Sequence, residues 1–213
     1  MGIREDRIFI SKALTLAEAG KGAVSPNPKV GCVLVKNGKI VGEGYHKKFG
    51  GKHAEVVAIQ NAGSGLAGST AYINLEPCCT EGKTPPCTKT LIENKIKKVV
   101  ISMLDPNPKI KGKGVQELKK NGIEVLSGIF ETQARELNKG FIKWITKGIP
   151  WVIGKAAQSF NGYLGVDSSS QTRITNQQCK EDVHRLRSGV DCVLVGRQTI
   201  LTDDPELTVR DIT

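Results

Sequence analysis

The sequence predicts an α/β fold organised on a mixed sheet, and two observations carry that prediction. An Asn37-Gly38 pair between the apolar runs 30–35 and 39–44 marks an antiparallel hairpin, because that dipeptide adopts the positive φ angles of a tight turn. Beyond residue 50, apolar strand-like runs alternate with amphipathic stretches punctuated by glycine. Such alternation builds a partly parallel sheet covered by helices.

Taken in order, residues 4–20 place Ile8, Leu14, Leu16 and Ala17 at helical spacing among charges, and Gly20 and Gly22 stop the helix. SPNPKVG follows; its prolines hold an extended, stiff loop around Asn27, a residue that ordinarily serves a turn. In the hairpin, Cys32 reads as a small buried hydrophobe. Residues 50–63 open with two glycines and continue as a helix with His53 and Glu55 in its first turn. Two residues apart on a helix diverge by about 200°, so both reach one site only near a helix start. STAYINLE is a buried strand that delivers Glu76-Pro77-Cys78, and Cys78 is expected to open a turn or short helix. Then come a helix (CTKTLIENK), a strand (KKVVISMLD), a helix (GVQELKKNG) and a strand (IEVLSG). Asp105 and Asn107 follow a strand's C-terminal end, the edge where open α/β sheets bind ligands. A single long amphipathic helix is expected over 129–148, closing at Gly148 before Pro150. A boundary there divides the chain into 1–147 and 148–213.

Composition narrows the function classes. The chain has 213 residues, enough for one large or two small domains with a real core. No apolar run approaches a membrane span, and the N-terminus MGIREDRIFISKA does not read as a secretory signal, so a cytoplasmic location and no membrane partner are expected. Cysteines stand at 32, 78, 79, 87, 179 and 192; in a reducing compartment, three clustered shortly after an H-x-E favour metal over disulfides. The net charge is +10, yet the lysines are scattered and aromatics make up only 5%, which leaves no stacking platform for bases. A basic surface attracting small phosphorylated substrates is the expectation, with no nucleic acid; a homo-oligomer is left open.

The chemistry concentrates between His53 and Cys87. His53, Cys78 and Cys87 offer one imidazole and two thiolates, a set suited to catalytic zinc with a fourth position open, one ion per chain. Glu55 stands two residues after the histidine. Zinc nucleobase deaminases use H-x-E for one ligand and the proton shuttle, and a later cysteine pair for two more ligands. Their usual pair is C-x-x-C, whereas these cysteines lie nine apart. Cys79 reads as a bystander, because three protein ligands suffice. A structural zinc module would leave Glu55 idle.

HAE, LEPC and TPPC, together with SPNPKVGCVLV at 25–35, GEGYH at 42–46 and DPNP at 105–108, resemble the bacterial riboflavin-biosynthesis deaminase/reductase family. The resemblance covers roughly residues 5–145, and more weakly the remainder. It implies a cytidine-deaminase-like three-layer α/β/α domain with a central mixed sheet, then an incomplete dihydrofolate-reductase-like α/β segment. It further implies Zn2+ on His53, Cys78 and Cys87, Glu55 as catalytic proton shuttle, and substrate contacts from Asn27, His46, Lys83, Asp105 and Asn107. The implied reaction is hydrolytic deamination of 2,5-diamino-6-ribosylamino-4(3H)-pyrimidinone 5′-phosphate. Deamination of cytidine or of transfer-RNA adenosine is the alternative. Thr80 stands where the family commonly has histidine, so no role is carried onto it.

In the tail, WVIGKAAQSFNGYLG, a polar loop, a helix at 176–188, a strand at 190–195 and LTDDPELTVR resemble the opening of that family's NADPH-dependent reductase. The positions implied there are Ala157, Ser159, Arg187, Thr199, Asp203, Leu207 and Arg210. SFNG stands where S-L-D-G is usual, Arg173 where tryptophan is common, and no G-x-G-x-x-G follows a strand. The expectation is a segment too short for a complete sheet, hence a chain that deaminates and does not reduce.

Overall fold

A computed structural model describes residues 2–81, 85–165 and 172–210. It divides into two compact units, Met1–Trp151 and Val152–Thr213.

The first unit is a five-stranded sheet with helices on both faces. Its strands are β1 (Gly31–Lys36), β2 (Lys39–Tyr45), β3 (Thr70–Leu75), β4 (Lys98–Met103) and β5 (Glu124–Ser127), in the order β2-β1-β3-β4-β5. β1 pairs antiparallel with β2 and β3, whereas β3–β4 and β4–β5 are parallel. The sheet is therefore mixed, as the hairpin and the later alternation together require. Side chains on successive strand residues point to opposite faces. Cys32, Leu34, Ala71, Ile73, Val99 and Ile101 fill one core, with Ala54 and Ala58 of α2 (Ala54–Ala62), Leu91 of α3 (Cys87–Glu93) and Leu118 of α4 (Lys113–Lys120). Val33, Val35, Tyr72 and Val100 face the other way, onto Ile10 and Ala13 of α1 (Ile3–Glu18). Three layers follow directly from that period of two.

Close backbone contact sets where α2 lies. A Cβ on Gly42 would stand 2.3 Å from the Ala58 carbonyl oxygen, and one on Gly44 2.5 Å from the Ala58 nitrogen. Only glycine lets α2 rest on β2 this closely. The GEGYH segment therefore positions the helix whose first residues carry the chemistry.

Three expectations change. The long helix over 129–148 is two helices, α5 (Glu131–Leu137) and α6 (Lys139–Lys147), broken at Asn138. Asn138 has φ −111° and is buried, and its amide both accepts from Lys29 N (2.8 Å) and donates to Lys29 O (3.0 Å). Those two bonds to a distant backbone outweigh continued helical geometry at that residue. Next, Cys78 lies in irregular chain after β3, and it is Cys87 that opens a helix. Finally, the strand expected at 190–195 is absent. The described residues of the second unit form α7 (Gln177–Arg187) and α8 (Arg197–Asp203) and no strand. Leu194 is 94% exposed, and a run with no neighbour to share its N–H and C=O groups is not a strand. α7 starts as its sequence suggests, with the Asn176 side chain accepting from Cys179 N at 3.0 Å.

Candidate active site

The ends of β3, α2 and α3 converge at one point. His53 is the N-cap of α2, Glu55 lies in that helix's first turn, Cys78 follows β3, and Cys87 is the first residue of α3. The His53 Nδ1 lies 3.2 Å from Cys87 Sγ and 3.5 Å from Cys78 Sγ. Cys87 N donates to Cys78 Sγ (3.3 Å), while Thr88 N and Oγ1 both donate to the Cys78 carbonyl. The first turn of α3 thus holds Cys78 by its sulfur and its backbone, using N–H groups that a helix start leaves free.

Cys78 and Cys87, nine apart in the sequence, meet in this cluster. The ligand-capable atoms of His53, Cys78 and Cys87 all lie within 4.8 Å of one another. A tetrahedral zinc holds such atoms about 3.5–3.8 Å apart, so the donor set and its spacing fit that ion. Cys79, by contrast, is not in the cluster, and burial pushes its thiol up.

Electrostatics in the cluster follow from burial and shared protons. A hydrogen bond from the Cys87 thiol pulls the Cys78 pKa down to about 4, against the opposing effect of burial, and the same bond pushes Cys87 up. Hydrogen bonding to Cys78 raises His53. Glu55 is 3% exposed, and its carboxyl is raised first by desolvation and then by the Cys78 charge. A carboxyl kept ready to hold a proton beside a metal-type ligand set has the property a proton shuttle needs.

Asn27 and His46 meet beside this cluster. His46 is buried, and its ring stands edge-on to the His53 ring at 5.7 Å. Its Nδ1 lies 3.0 Å from the Lys52 carbonyl, which can only accept, so Nδ1 carries the proton. The bare Nε2 then accepts from Asn27 Nδ2 at 3.1 Å. Burial lowers the His46 pKa and keeps the ring neutral. The relay fixes the Asn27 amide with Oδ1 left over, an acceptor for a ligand N–H or O–H.

Asp105 and Asn107 share the loop after β4. Asn107 N donates to Asp105 Oδ1 (2.8 Å), and Lys109 N donates to Asn107 Oδ1 (3.0 Å). Asp105 is 7% exposed, and burial raises its carboxyl. The expected contact at Lys83 lies outside the described residues.

Two residues that the sequence reading passed over organise this region. Glu76 is buried and accepts from Asp105 N (3.0 Å), Gly112 N (2.9 Å) and Val115 N (3.1 Å). Asn74 accepts from Gly31 N (2.8 Å) and donates to Lys29 O (3.0 Å). The one signal in the chain is a polar residue inside an apolar strand run; nothing local names its partners.

Within the second unit, Arg187, Asp203 and Arg210 line one cavity of about 490 Å³, with Lys155, Lys180 and His184. Arg210 N donates to His184 Nδ1 (3.1 Å), and Arg187 Nη1 reaches the carbonyls of Glu206 and Thr208. Ala157, Ser159, Thr199 and Leu207 are not among the lining residues. Ser159 instead closes a local turn, its Oγ accepting from Tyr163 N at 3.0 Å.

Comparison with known proteins agrees with this geometry. Residues 3–103 match the cytidine and deoxycytidylate deaminase zinc-binding region, and residues 150–213 match the RibD C-terminal domain. The riboflavin biosynthesis protein RibD of Aquifex aeolicus is 48% identical over 98% of this chain and 59% of its own length. The chain is similar to RibD over nearly the whole of its own length. The Escherichia coli RibD is 44% identical over 97% of this chain and 56% of its own. Among solved structures, Acinetobacter baumannii RibD superposes with TM-score 0.95 at 43% identity, covering 99% of this chain and 59% of that one. A Thermotoga maritima diaminohydroxyphosphoribosylaminopyrimidine deaminase/5-amino-6-(5-phosphoribosylamino)uracil reductase superposes with TM-score 0.93 at 43% identity, over 98% and 60%. The chain thus spans about three fifths of the length of these relatives. Among the described residues, no helix is long and apolar enough to cross a membrane.

Proposed function

We propose that this chain catalyses hydrolytic deamination of a small phosphorylated aminopyrimidine, with 2,5-diamino-6-ribosylamino-4(3H)-pyrimidinone 5′-phosphate as substrate. The observation that carries the reading is the convergence of His53, Cys78 and Cys87 beside the buried Glu55. The Thermotoga maritima relative is a deaminase of a diaminohydroxyphosphoribosylaminopyrimidine, which supports the same substrate class here. His53 Nδ1, Cys78 Sγ and Cys87 Sγ would hold one zinc ion, which supplies Lewis-acid activation of the attacking water when bound.

The remaining steps belong to the chain's own groups. Glu55, as carboxylate, accepts a proton from the attacking water through a carboxyl oxygen. It delivers that proton to a ring nitrogen, then carries the second water proton to the departing amine. One C–N bond breaks, one C–O bond forms, and ammonia leaves while the ring keeps a carbonyl. Asn27, oriented by neutral His46, presents Oδ1 to a donor on the substrate. Asp105, whose carboxyl feels the Cys78 charge, and its loop neighbour Asn107 would bind the polar edge of the ring or its ribose. Lys83 belongs to this proposal by family resemblance alone.

NADPH-dependent reduction of the ribose would belong to the segment that matches the RibD C-terminal domain. Arg187, Asp203 and Arg210 are the family positions that gather at one cavity, and they are the ones to test there.

Release of ammonia from the diaminopyrimidinone phosphate, followed in the ultraviolet beside cytidine and a transfer-RNA substrate, tests the reading. Turnover of the first alone is expected. Turnover of cytidine or transfer RNA, with none of the first, would replace it.

A further inference from the structure

Glu76 has a role beyond the zinc cluster. It leaves β3 immediately before Pro77-Cys78, and its own N–H continues the β3–β4 ladder by donating to Met103 O at 3.0 Å. Its side chain then crosses to the neighbouring connection. Oε2 accepts from Asp105 N and Gly112 N, and Oε1 accepts from Val115 N. Gly112 is the N-cap of α4 and Val115 its third residue, so one carboxylate from another strand does the work of an N-cap side chain. Glycine allows the approach: a Cβ on Gly114 would lie 2.3 Å from the Pro77 carbonyl oxygen.

The Asp105 N–H is the first rung of a short ladder. Asp105 Oδ1 accepts from Asn107 N, and Asn107 Oδ1 accepts from Lys109 N. Moving Asp105's backbone therefore moves the whole loop. The residue that anchors the loop sits two positions before Cys78 in the chain. Two acceptor oxygens are needed here, because three backbone donors converge on this side chain in a buried site.

We propose that Glu76 is a positioning residue for substrate binding, which holds the Asp105–Asn107 loop at a set distance from the metal-binding end of β3. This rests on the deaminase reading above. The proposal makes ligand binding, and not metal binding, the property that Glu76 controls.

The test compares zinc content, KM and kcat for wild type, Glu76→Gln, Asp105→Ala and the double variant, with hydrogen exchange on the zinc-loaded full chain. Glu76→Gln is isosteric but puts an NH2 where an oxygen accepted. Expected is about one zinc per chain as in wild type, a KM raised roughly 10-fold or more, and a kcat within about 3-fold. In the Asp105→Ala background the same change should raise KM less than 3-fold, since coupled residues are non-additive. Loss of zinc, a kcat-led defect, or an equal KM factor in both backgrounds overturns the proposal.

Should Glu76→Gln fail to fold, the wild-type chain still decides. The Asp105, Gly112 and Val115 amides should exchange slowly and at one common rate, whereas three unrelated rates overturn the proposal. If the wild type turns over no pyrimidine, the functional reading fails, and the exchange result still judges the anchor.

Discussion

The backbone N–H of Cys87 donates to the Sγ of Cys78 at 3.3 Å, so the second thiol-bearing residue also steadies the first. Metal content should respond to the two cysteines alike. Cys87→Ser and Cys78→Ser are each expected to lose most of the single zinc per chain, measured by elemental analysis after gentle purification. Cys79→Ser, outside the cluster, should retain zinc and turnover close to wild type. Loss of metal in that variant would move the ligand assignment by one residue.

Glu55→Gln should leave zinc and fold in place and lower kcat by about 10²–10⁴-fold or more, the range that acid–base catalysis supplies. Retention of more than a tenth of the activity would remove Glu55 from the mechanism.

The same substitution makes a stability prediction. Desolvation raises the folded-state pKa of Glu55, so the carboxyl supports the fold at low pH, and that support is lost as pH rises through the folded value. Burying the charged form at neutral pH therefore costs stability, and a neutral glutamine removes that cost. Metal-free Glu55→Gln should melt above metal-free wild type at pH 7, by about 2–4 °C for each kcal/mol recovered. The gain should shrink with falling pH and be gone below the ordinary carboxyl range. Thermal scans at several pH values would check it, and an equal shift at every pH would contradict the burial argument.

Asn138→Ala removes both hydrogen bonds to Lys29 and leaves buried backbone groups without them. A loss of about 1–3 kcal/mol is expected in denaturant melts. Because Lys29 lies two residues after Asn27, substrate affinity should fall as well. Gly44→Ala forces a methyl against the α2 backbone and should cost about 1–3 kcal/mol by overpacking while weakening zinc retention through His53.

The sequence by itself determined the pieces that depend on neighbours in the chain. Asn37-Gly38 specified the hairpin, because positive φ is a local demand, and apolar alternation specified β3 and β4. The chemical types in H-A-E and P-C…P-P-C pointed to a metal-ligand set with a carboxylate beside it before any distance was known. Tertiary structure alone decided how those pieces meet. Asn138 reads locally as a helix residue, yet it breaks the helix to bond a backbone 109 residues away. Glu76 reads as a polar strand end and proves to cap α4 from another strand. The run 190–195 is apolar enough for a strand, and without a neighbouring strand it is none. The physical reason is common to all three. Periodicity and turn chemistry act over a few residues, whereas a buried polar group takes whichever partner the packed fold brings within hydrogen-bond reach.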